Sequence, residues 1–273
     1  MRLSCLPVSF FDQIISGQMS LGDWARLGAQ AGLDGIDISV LFVKSRAPQY
    51  LREMKREIED AGQRLVMMTT YPDFTNPNAA ERQRQGEELR ANVEAAAHLG
   101  ALYVRVTAGQ GYPEVGFADG VGWAVAGLTR AVEEARGSGV TLVFENHARP
   151  GVWQYPDFSY PPKHFLAIVE QTAQVGLRIN WDTANTLAYG DDPIPVLKKV
   201  VDRVETVHAA DTATRGELRH VLLGTGLVPF QEIFTALKQA GFDGWICMEE
   251  GSKQGAPGVI AAAEFVRRTW AAA

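Results

Sequence analysis

Short apolar runs alternate with longer amphipathic segments along the whole chain of 273 residues. The short runs predict strands near Leu3–Ser9, Gly35–Ser39, Arg64–Thr70, Tyr103–Ala108, Thr141–Asn146, Leu177–Asp182, Val204–Ala209 and Gly244–Glu249. The amphipathic segments predict helices, for example at Leu21–Ala31, Pro48–Ala61, Ala79–Leu99 and Val121–Arg136. Eight strands alternating with eight helices predict a parallel sheet, and at this length a closed (β/α)8 TIM barrel. We therefore predict an α/β fold with a single TIM-barrel domain over residues 1–273.

Glycines support this division of the chain. A glycine follows a helical run and precedes a strand at Gly32, Gly62, Gly100, Gly139, Gly176 and Gly241. Each position suits a left-handed residue just past the end of a helix. The only long irregular stretches are Arg149–Pro162 and Thr212–Val228, which both follow predicted strands. Both are therefore expected on the face where barrel enzymes carry out chemistry.

Composition narrows the class of protein. Hydrophobic residues make up 46% of the chain and charged residues 21%, as in globular proteins. A formal net charge of -6 argues against nucleic acid or an anionic membrane as a partner. No apolar run approaches the ~18 residues of a membrane span. Cys5 and Cys247 lie in predicted strands, where small buried hydrophobes are expected, and so few cysteines favour a cytoplasmic location.

Four consecutive predicted strands end in residues that bind metals or carry protons. These residues are Glu145, Asp182, His208 and Glu249. Each has an ordinary alternative: a paired buried carboxylate, an Asx turn or helix cap, a core histidine, and the neighbouring Glu250 as the inward side chain. Four such residues at the same edge of a sheet favour one divalent metal ion. Three carboxylates and one imidazole suit Mn²⁺, Mg²⁺ or Co²⁺, with Zn²⁺ as an alternative.

Nearly the whole chain resembles the xylose-isomerase-like barrel family, often described as sugar phosphate isomerases/epimerases. The motifs that carry the resemblance are Phe144-Glu145-Asn146-His147, Asn180-Trp181-Asp182-Thr183-Ala184-Asn185, Val207-His208-Ala-Ala-Asp211, Leu223-Gly224-Thr-Gly226 and Phe242-Asp-Gly-Trp-Ile-Cys-Met-Glu249. The resemblance implies that Glu145, Asp182, His208 and Glu249 bind one divalent metal. It also implies that Glu145 and Glu249 form an acid–base pair.

The resemblance implies a metal-dependent isomerase or epimerase for a sugar-like hydroxy-carbonyl substrate. A metal on the carbonyl and a neighbouring hydroxyl acidifies the adjacent C–H and stabilises an enediolate. The alternative is a lyase on the same fold, either a keto-polyol dehydratase or a 3-keto-glycoside deglycosidase. Ketose 3-epimerases carry histidine where this chain has Asn185, and no arginine matches the one that follows their strand-seven histidine. Asp37 stands where many members carry glutamate.

Five further residues are candidates for binding the substrate: His147, Asn185, Arg105, His220 and Trp153. His147 shares the inward direction of Glu145, and Asn185 offers an amide to a hydroxyl. Arg105 has an equal alternative as a structural ion pair, His220 as an exposed loop residue, and Trp153 as part of an oligomer contact. We carry a homodimer and a homotetramer as hypotheses for the assembly. The five histidines are too few for a multi-metal repair endonuclease of the related barrel type, and the two glutamates argue against a silent binding protein.

Overall fold

A computed structural model describes residues 1–273 as eight parallel strands that form a nearly closed barrel, with helices between them. The barrel strands are β1 (Arg2–Leu6), β2 (Ile36–Ser39), β3 (Leu65–Thr69), β4 (Tyr103–Val106), β5 (Thr141–Glu145), β6 (Arg178–Asp182), β7 (Val204–Ala209) and β10 (Trp245–Glu249). A separate antiparallel hairpin contains β8 (Thr212–Thr214) and β9 (Glu217–His220). The strand order around the barrel is β1-β10-β7-β6-β5-β4-β3-β2. The predicted TIM barrel is confirmed.

Ten α-helices surround the barrel, rather than the eight that the sequence pattern predicts. They are α1 (Phe11–Ser16), α2 (Leu21–Gln30), α3 (Pro48–Asp60), α4 (Ala79–Leu99), α5 (Phe117–Ala135), α6 (Pro162–Gln171), α7 (Asn185–Tyr189), α8 (Pro193–Leu197), α9 (Phe230–Gln239) and α10 (Gly255–Ala272). The two extra helices arise because α1 precedes α2, and because the connection after β6 is split at Gly190 into α7 and α8. None of the helices combines the length and apolarity needed to cross a bilayer.

The predicted end of the first strand and the predicted irregular stretch Thr212–Val228 were both wrong, for physical reasons. The first strand ends at Leu6 rather than Ser9, because Pro7 has no amide hydrogen and a 3-10 helix follows at Val8–Phe10. The stretch Thr212–Val228 is not wholly irregular, since it contains the hairpin of β8 and β9. The short, mostly polar strand β9 has no apolar alternation that could have revealed it.

Backbone and side-chain hydrogen bonds join β1 to β2 and the residues just before it. The Asp34 amide donates to the Leu3 carbonyl at 2.8 Å, and the Leu3 amide donates to Asp34 Oδ2 at 2.9 Å. Inside the barrel, Ser4 Oγ donates to Asp37 Oδ2 at 2.8 Å and the Met67 amide donates to Asp37 Oδ1 at 3.1 Å. Asp37 is completely buried, and burial raises its pKa to about 6. It therefore links β1, β2 and β3 inside the barrel.

All six glycines predicted past helix ends have positive φ angles, between 68° at Gly32 and 81° at Gly100 and Gly139. Gly244, at the start of β10, has a different reason to be glycine. A Cβ atom there would overlap the carbonyl oxygen of Glu205 on the neighbouring chain segment. The tight approach fixes β10 against β7, so that Glu249 and His208 reach the same end of the barrel.

Candidate active site

The carboxyl ends of β5, β6 and β7 bring three of the predicted residues together. Glu145 and Asp182 are the last residues of their strands, and Asp182 pairs in register with His208 on β7. One potential ligand atom from each lies within 4.8 Å of the others. All three side chains are buried, with at most 1% of each residue exposed.

This buried cluster has two polar atoms without any partner, Asp182 Oδ2 and His208 Nε2. Glu145 Oε2 and His208 Nδ1 also lack a well-directed hydrogen bond, and they lie only in ion-pair contacts with Arg105 at 2.8 Å and Glu249 at 3.0 Å. Buried polar atoms are normally satisfied, and leaving one unpaired costs about 1–3 kcal/mol. Two unpaired atoms beside a buried carboxylate indicate that a further group can complete the site. Two carboxylate oxygens and an imidazole nitrogen fit a divalent cation.

Asp182 forms the Asx turn that its position in the sequence suggests and keeps its second carboxylate oxygen out of that turn. Its Oδ1 accepts hydrogen bonds from the amides of Ala184 at 2.8 Å and Asn185 at 2.7 Å, as in an Asx turn. Its Oδ2 remains free toward Glu145 and His208. Asn146 holds the backbone in place: its Nδ2 donates to the Asp182 carbonyl at 2.9 Å, and its Oδ1 accepts from the Asp182 amide at 2.7 Å.

Glu249 forms the edge of the cluster. Its Oε1 lies 3.0 Å from His208 Nδ1, and its side chain is 14% exposed. Unlike Glu145, Asp182 and His208, it is outside the group of ligand atoms that lie within 4.8 Å of one another. Glu250 points the other way, as strand alternation predicts: its Oε2 accepts from Ser9 Oγ at 2.6 Å and its Oε1 accepts from the Ser252 amide at 2.9 Å.

Arg105 makes the structural ion pair that was one of its two predicted roles. Its Nε lies 2.8 Å from Glu145 Oε2, and both side chains are buried. A second guanidinium nitrogen donates to the Thr70 carbonyl at 3.0 Å, and the guanidinium carbon lies 4.7 Å from the centre of the Tyr71 ring. Burial raises the pKa of Glu145, but the charges of Arg105 and His208 outweigh it and hold that pKa far below its ordinary value.

The charges of the cluster shift the pKa values of its members in opposite directions. Burial raises the pKa of Asp182 well above its ordinary value, and Glu249 and Glu145 raise it further. Burial lowers the pKa of His208, but the same two glutamates outweigh burial and raise it well above its ordinary value. Burial raises the pKa of Glu249, but His208 outweighs it and lowers that pKa. A divalent cation would therefore replace protons on Asp182 and His208.

A cavity of about 450 Å³, here called the mouth, opens above the cluster. Five predicted residues line it: Arg105, His147, Asn185, His220 and Glu249. Trp153 is buried and lines a neighbouring cavity instead, with its ring centre 6.3 Å from that of His147. Sequence reasoning missed Tyr71, which lines the mouth two residues after β3. Its position after a strand end was the signal that could have identified it.

His147 faces the mouth and has a buried acidic neighbour. Its Nδ1 lies 3.5 Å from Asp157 Oδ2, and neither atom has another partner. Asp157 Oδ1 is held by the amide and hydroxyl of Ser159, both at 2.7 Å. Asn185 Nδ2 lies 3.4 Å from Glu145 Oε1, so it touches the cluster as well as the mouth. His147 and Asp157 are ten positions apart in the chain, and no sequence pattern predicted their contact.

Comparison with known proteins gives a consistent picture. A model of the xylose isomerase-like TIM barrel family matches residues 25–269. A Streptomyces coelicolor protein with the provisional name hydroxypyruvate isomerase is 26% identical over 250 residues, which are 86% of this chain and 87% of that protein. The inosose dehydratase of Lacticaseibacillus casei is 24% identical over 139 residues, which are 45% of this chain and 44% of that protein. A solved D-tagatose 3-epimerase-like protein has a TM-score of 0.80 at 18% identity, covering 100% of this chain and 98% of that one, and shares the fold.

Proposed function

The chain belongs to the xylose isomerase-like TIM barrel family, and on that premise we propose that it is a divalent-metal-dependent isomerase or epimerase of a sugar-like hydroxy-carbonyl compound. One observation carries the proposal. Ligand atoms of Glu145, Asp182 and His208 converge within 4.8 Å of one another, and Asp182 Oδ2 and His208 Nε2 have no partner. Glu249, which contacts His208, lines the cavity beside them. Relatives that are named as an isomerase and a dehydratase support an enzyme of this kind.

The donor set fits a hard or borderline divalent ion such as Mn²⁺, Mg²⁺ or Co²⁺. Glu145, Asp182 and His208 would hold it, with Glu249 as the fourth ligand. Its chemical contribution would be a positive charge beside the substrate carbonyl, which acidifies the neighbouring C–H. Arg105 and Asn146 would keep the ligands in position, since they fix Glu145 and the Asp182 backbone.

The two glutamates have different surroundings, which suggests different tasks. Glu249 is partly exposed to the mouth and has no arginine partner, so we assign it the first removal of the proton. Returning that proton to the adjacent carbon on the same face, together with transfer of the hydroxyl proton to the former carbonyl oxygen, completes an isomerisation. Epimerisation also needs a proton on Glu145 for the opposite face. Arg105 opposes this because it favours the ionised form of Glu145. The ion pair therefore favours isomerisation over epimerisation.

A lyase is the second candidate, and one feature of the mouth favours it. His147 faces the cavity with Asp157 behind it, so a second proton carrier is available to a departing hydroxyl or alkoxide. Asn185 cannot take this task, because an amide does not titrate near neutral pH. Dehydration begins with the same removal of a proton beside a carbonyl, so it needs the same cluster.

Product analysis in D₂O tests the proposal and separates the two candidates. Chelator-treated protein would be reloaded with Mn²⁺ and incubated separately with hydroxypyruvate, D-tagatose and an inosose. An isomeric product, heavier than the substrate only by the deuterium it carries on carbon, is expected for at least one of them, and only with metal. Loss of one water would establish the lyase instead. Neither deuterium uptake nor water loss with any of the three would contradict both.

A further inference from the structure

The ring of His147 has one polar partner inside the protein, and that partner is a buried carboxylate. Its Nδ1 lies 3.5 Å from Asp157 Oδ2, and both atoms are buried without any other partner. Only 8% of His147 and 1% of Asp157 are exposed. Buried polar atoms are normally satisfied, and a proton on Nδ1 satisfies both atoms at once. A lone pair on Nδ1 would instead face the carboxylate, so the contact favours the tautomer with its proton on Nδ1.

Backbone hydrogen bonds hold Asp157 behind the ring. Its amide donates to the Ala148 carbonyl at 2.7 Å, which ties it to the residue next to His147. Asp157 also forms an antiparallel bridge with Gln110, which follows β4. The position of the carboxylate is therefore set by two different connections of the barrel.

Hydrogen bonds to the side chain of Asp157 fix which of its oxygens faces the ring. Oδ1 accepts from the amide and the hydroxyl of Ser159, both at 2.7 Å. These donors occupy Oδ1 and leave Oδ2 for His147. A carboxylate accepts at both oxygens, so it satisfies Ser159 and the Nδ1 proton together. An asparagine at this position would keep its oxygen on the Ser159 donors and turn its NH₂ group toward the ring.

The other ring nitrogen of His147, Nε2, is accessible from the mouth. It makes no hydrogen bond within the protein and, unlike Nδ1, is not among the buried polar atoms. His147 lines the mouth together with Asn185 and Glu249. With the proton on Nδ1, Nε2 carries a lone pair and accepts a hydrogen bond. A ligand in the mouth must therefore offer a donor at this wall, where a carbonyl or carboxylate oxygen would be repelled.

We propose that Asp157 is a positioning residue that keeps the proton of His147 on Nδ1, so that Nε2 accepts a hydrogen bond from a hydroxyl group of the substrate. This inference rests on the proposed function for the presence of a hydroxy-carbonyl compound in the mouth. It adds a direction to the binding of that compound. A hydroxyl lies against His147, and the carbonyl lies away from this wall, toward the buried cluster at the ends of β5, β6 and β7.

Nitrogen NMR of the whole protein reads the tautomer without turnover. Spectra of protein labelled with ¹⁵N at its five histidines would be recorded with and without Mg²⁺ at alkaline pH, where histidine rings are neutral. The variant His147→Gln assigns the His147 signals by their absence. We expect Nδ1 of His147 to have the chemical shift of a protonated nitrogen and Nε2 that of an unprotonated one. The reverse pattern, or an even mixture of the two tautomers, would overturn the proposal.

Two variants separate the role of the Asp157 carboxylate from that of its loop. Asp157→Asn is expected to invert the two His147 signals, because the amide NH₂ donates to Nδ1 and the proton moves to Nε2. Ser159→Ala disturbs the same loop but keeps the carboxylate, so the wild-type pattern should remain. His98 is an internal reference, since its Nδ1 lies 2.8 Å from the Glu94 carbonyl and should stay protonated throughout. An Asp157→Asn protein with the wild-type His147 pattern would overturn the role of Asp157, and the wild-type spectrum decides the tautomer even if this variant folds poorly.

Titration of the Mg²⁺-loaded protein with hydroxypyruvate, D-tagatose and an inosose tests the contact with a hydroxyl. A hydroxyl that donates to Nε2 of His147 should move the Nε2 signal upfield, toward that of a protonated nitrogen, for at least one of the three. No shift with any of them would overturn the assignment of a hydroxyl to this wall. Failure of the D₂O experiment would remove the proposed reaction but leave the tautomer and its inversion by Asp157→Asn intact, so the two failures are distinguishable.

Discussion

Asp182 and Asp211 are both buried aspartates that lie close to a strand end, yet their surroundings differ completely. Asp211 Oδ2 accepts from the amides of Gly224 and Gly226, both at 2.9 Å, while its Oδ1 accepts from Thr212 at 2.9 Å and Val228 at 3.2 Å. Asp182 has backbone donors on Oδ1 only, and its Oδ2 has none. Burial alone therefore does not distinguish a candidate metal ligand from a structural aspartate. The difference is that one buried oxygen of Asp182 has no hydrogen-bond donor.

The adjacent residues Glu249 and Glu250 repeat this contrast within two positions of the chain. Glu250 is bound to Ser9 and Ser252 and joins the loops that follow β1 and β10. Glu249 faces His208 and the mouth. One carboxylate holds the backbone together, and the other is available for chemistry. The contrast can be tested by changing each member of a pair in the same way.

The largest difference is expected between Glu249→Gln and Glu250→Gln. Removing a proton-transfer group usually lowers turnover by about 10²–10⁴-fold, so we expect this loss in kcat for Glu249→Gln. Glu250→Gln should instead lose about 1–3 kcal/mol of unfolding free energy, with kcat per folded molecule close to that of the wild type. Turnover and urea unfolding would be measured on both variants. A wild-type kcat in Glu249→Gln would end its assignment as the base.

The second comparison concerns metal affinity. Asp182→Asn keeps an oxygen that can accept the hydrogen bonds of the turn but loses the free carboxylate oxygen. Mn²⁺ affinity should therefore fall by about 100-fold or more. This loss exceeds the one usually seen when a residue that only supports a metal ligand is removed. Asp211→Asn should leave Mn²⁺ affinity unchanged and lower stability, because its amide group cannot accept all four backbone amides. Calorimetric titration would measure both. Similar affinities in the two variants would contradict the distinction.

The third prediction is a pH dependence that follows from the raised pKa values of Asp182 and His208. A raised pKa means that each group keeps its proton to a higher pH than usual, and it must lose that proton to bind a cation. Mn²⁺ affinity should therefore rise with pH until both groups are deprotonated, by about tenfold per pH unit for each proton released. Calorimetry in buffers of different ionisation enthalpy counts these protons directly. A pH-independent affinity would contradict the charge balance described for the cluster.

The smallest expected effect is that of Asn146→Ala. Asn146 does not belong to the cluster but makes two hydrogen bonds to the Asp182 backbone. Its loss should reduce Mn²⁺ affinity by about tenfold through misplacement of Asp182. Asn78→Ala, which removes a helix N-cap at the start of α4, is a control that should change stability alone. Equal Mn²⁺ affinities in the Asn146 variant and the wild type would show that these two hydrogen bonds are not needed for metal binding.

The barrel could be predicted from sequence because its signals are local. The six glycines past helix ends and the apolar runs each depend on a few neighbouring residues, and their positions in the structure agree. The same local logic located Glu145, Asp182 and His208, since the carboxyl ends of parallel strands meet at one edge. It also separated Glu249 from Glu250 by the alternation of a strand.

Contacts between distant loops could not be predicted in this way. Asp157 reaches His147 across the loop after β5, and Asp211 binds amides 13–17 residues further along the chain. The cavity that Trp153 lines is formed by segments that follow β2, β3 and β5. This explains why Trp153 was expected at the mouth and lies beside it. The hydrophobic periodicities of 2 and 3.6 residues predict strands and helices, but they carry no information on such contacts.

Metal stoichiometry tests the central claim most directly. Chelator-treated protein would be dialysed against Mn²⁺, and the bound metal would be measured by mass spectrometry in the wild type and in His208→Ala, with circular dichroism to verify the fold. The convergence of Glu145, Asp182 and His208, with Asp182 Oδ2 and His208 Nε2 unpartnered, predicts one ion per chain in the wild type and none in the variant. A folded wild type that binds no divalent ion, or a His208→Ala variant that keeps full affinity, would contradict the account.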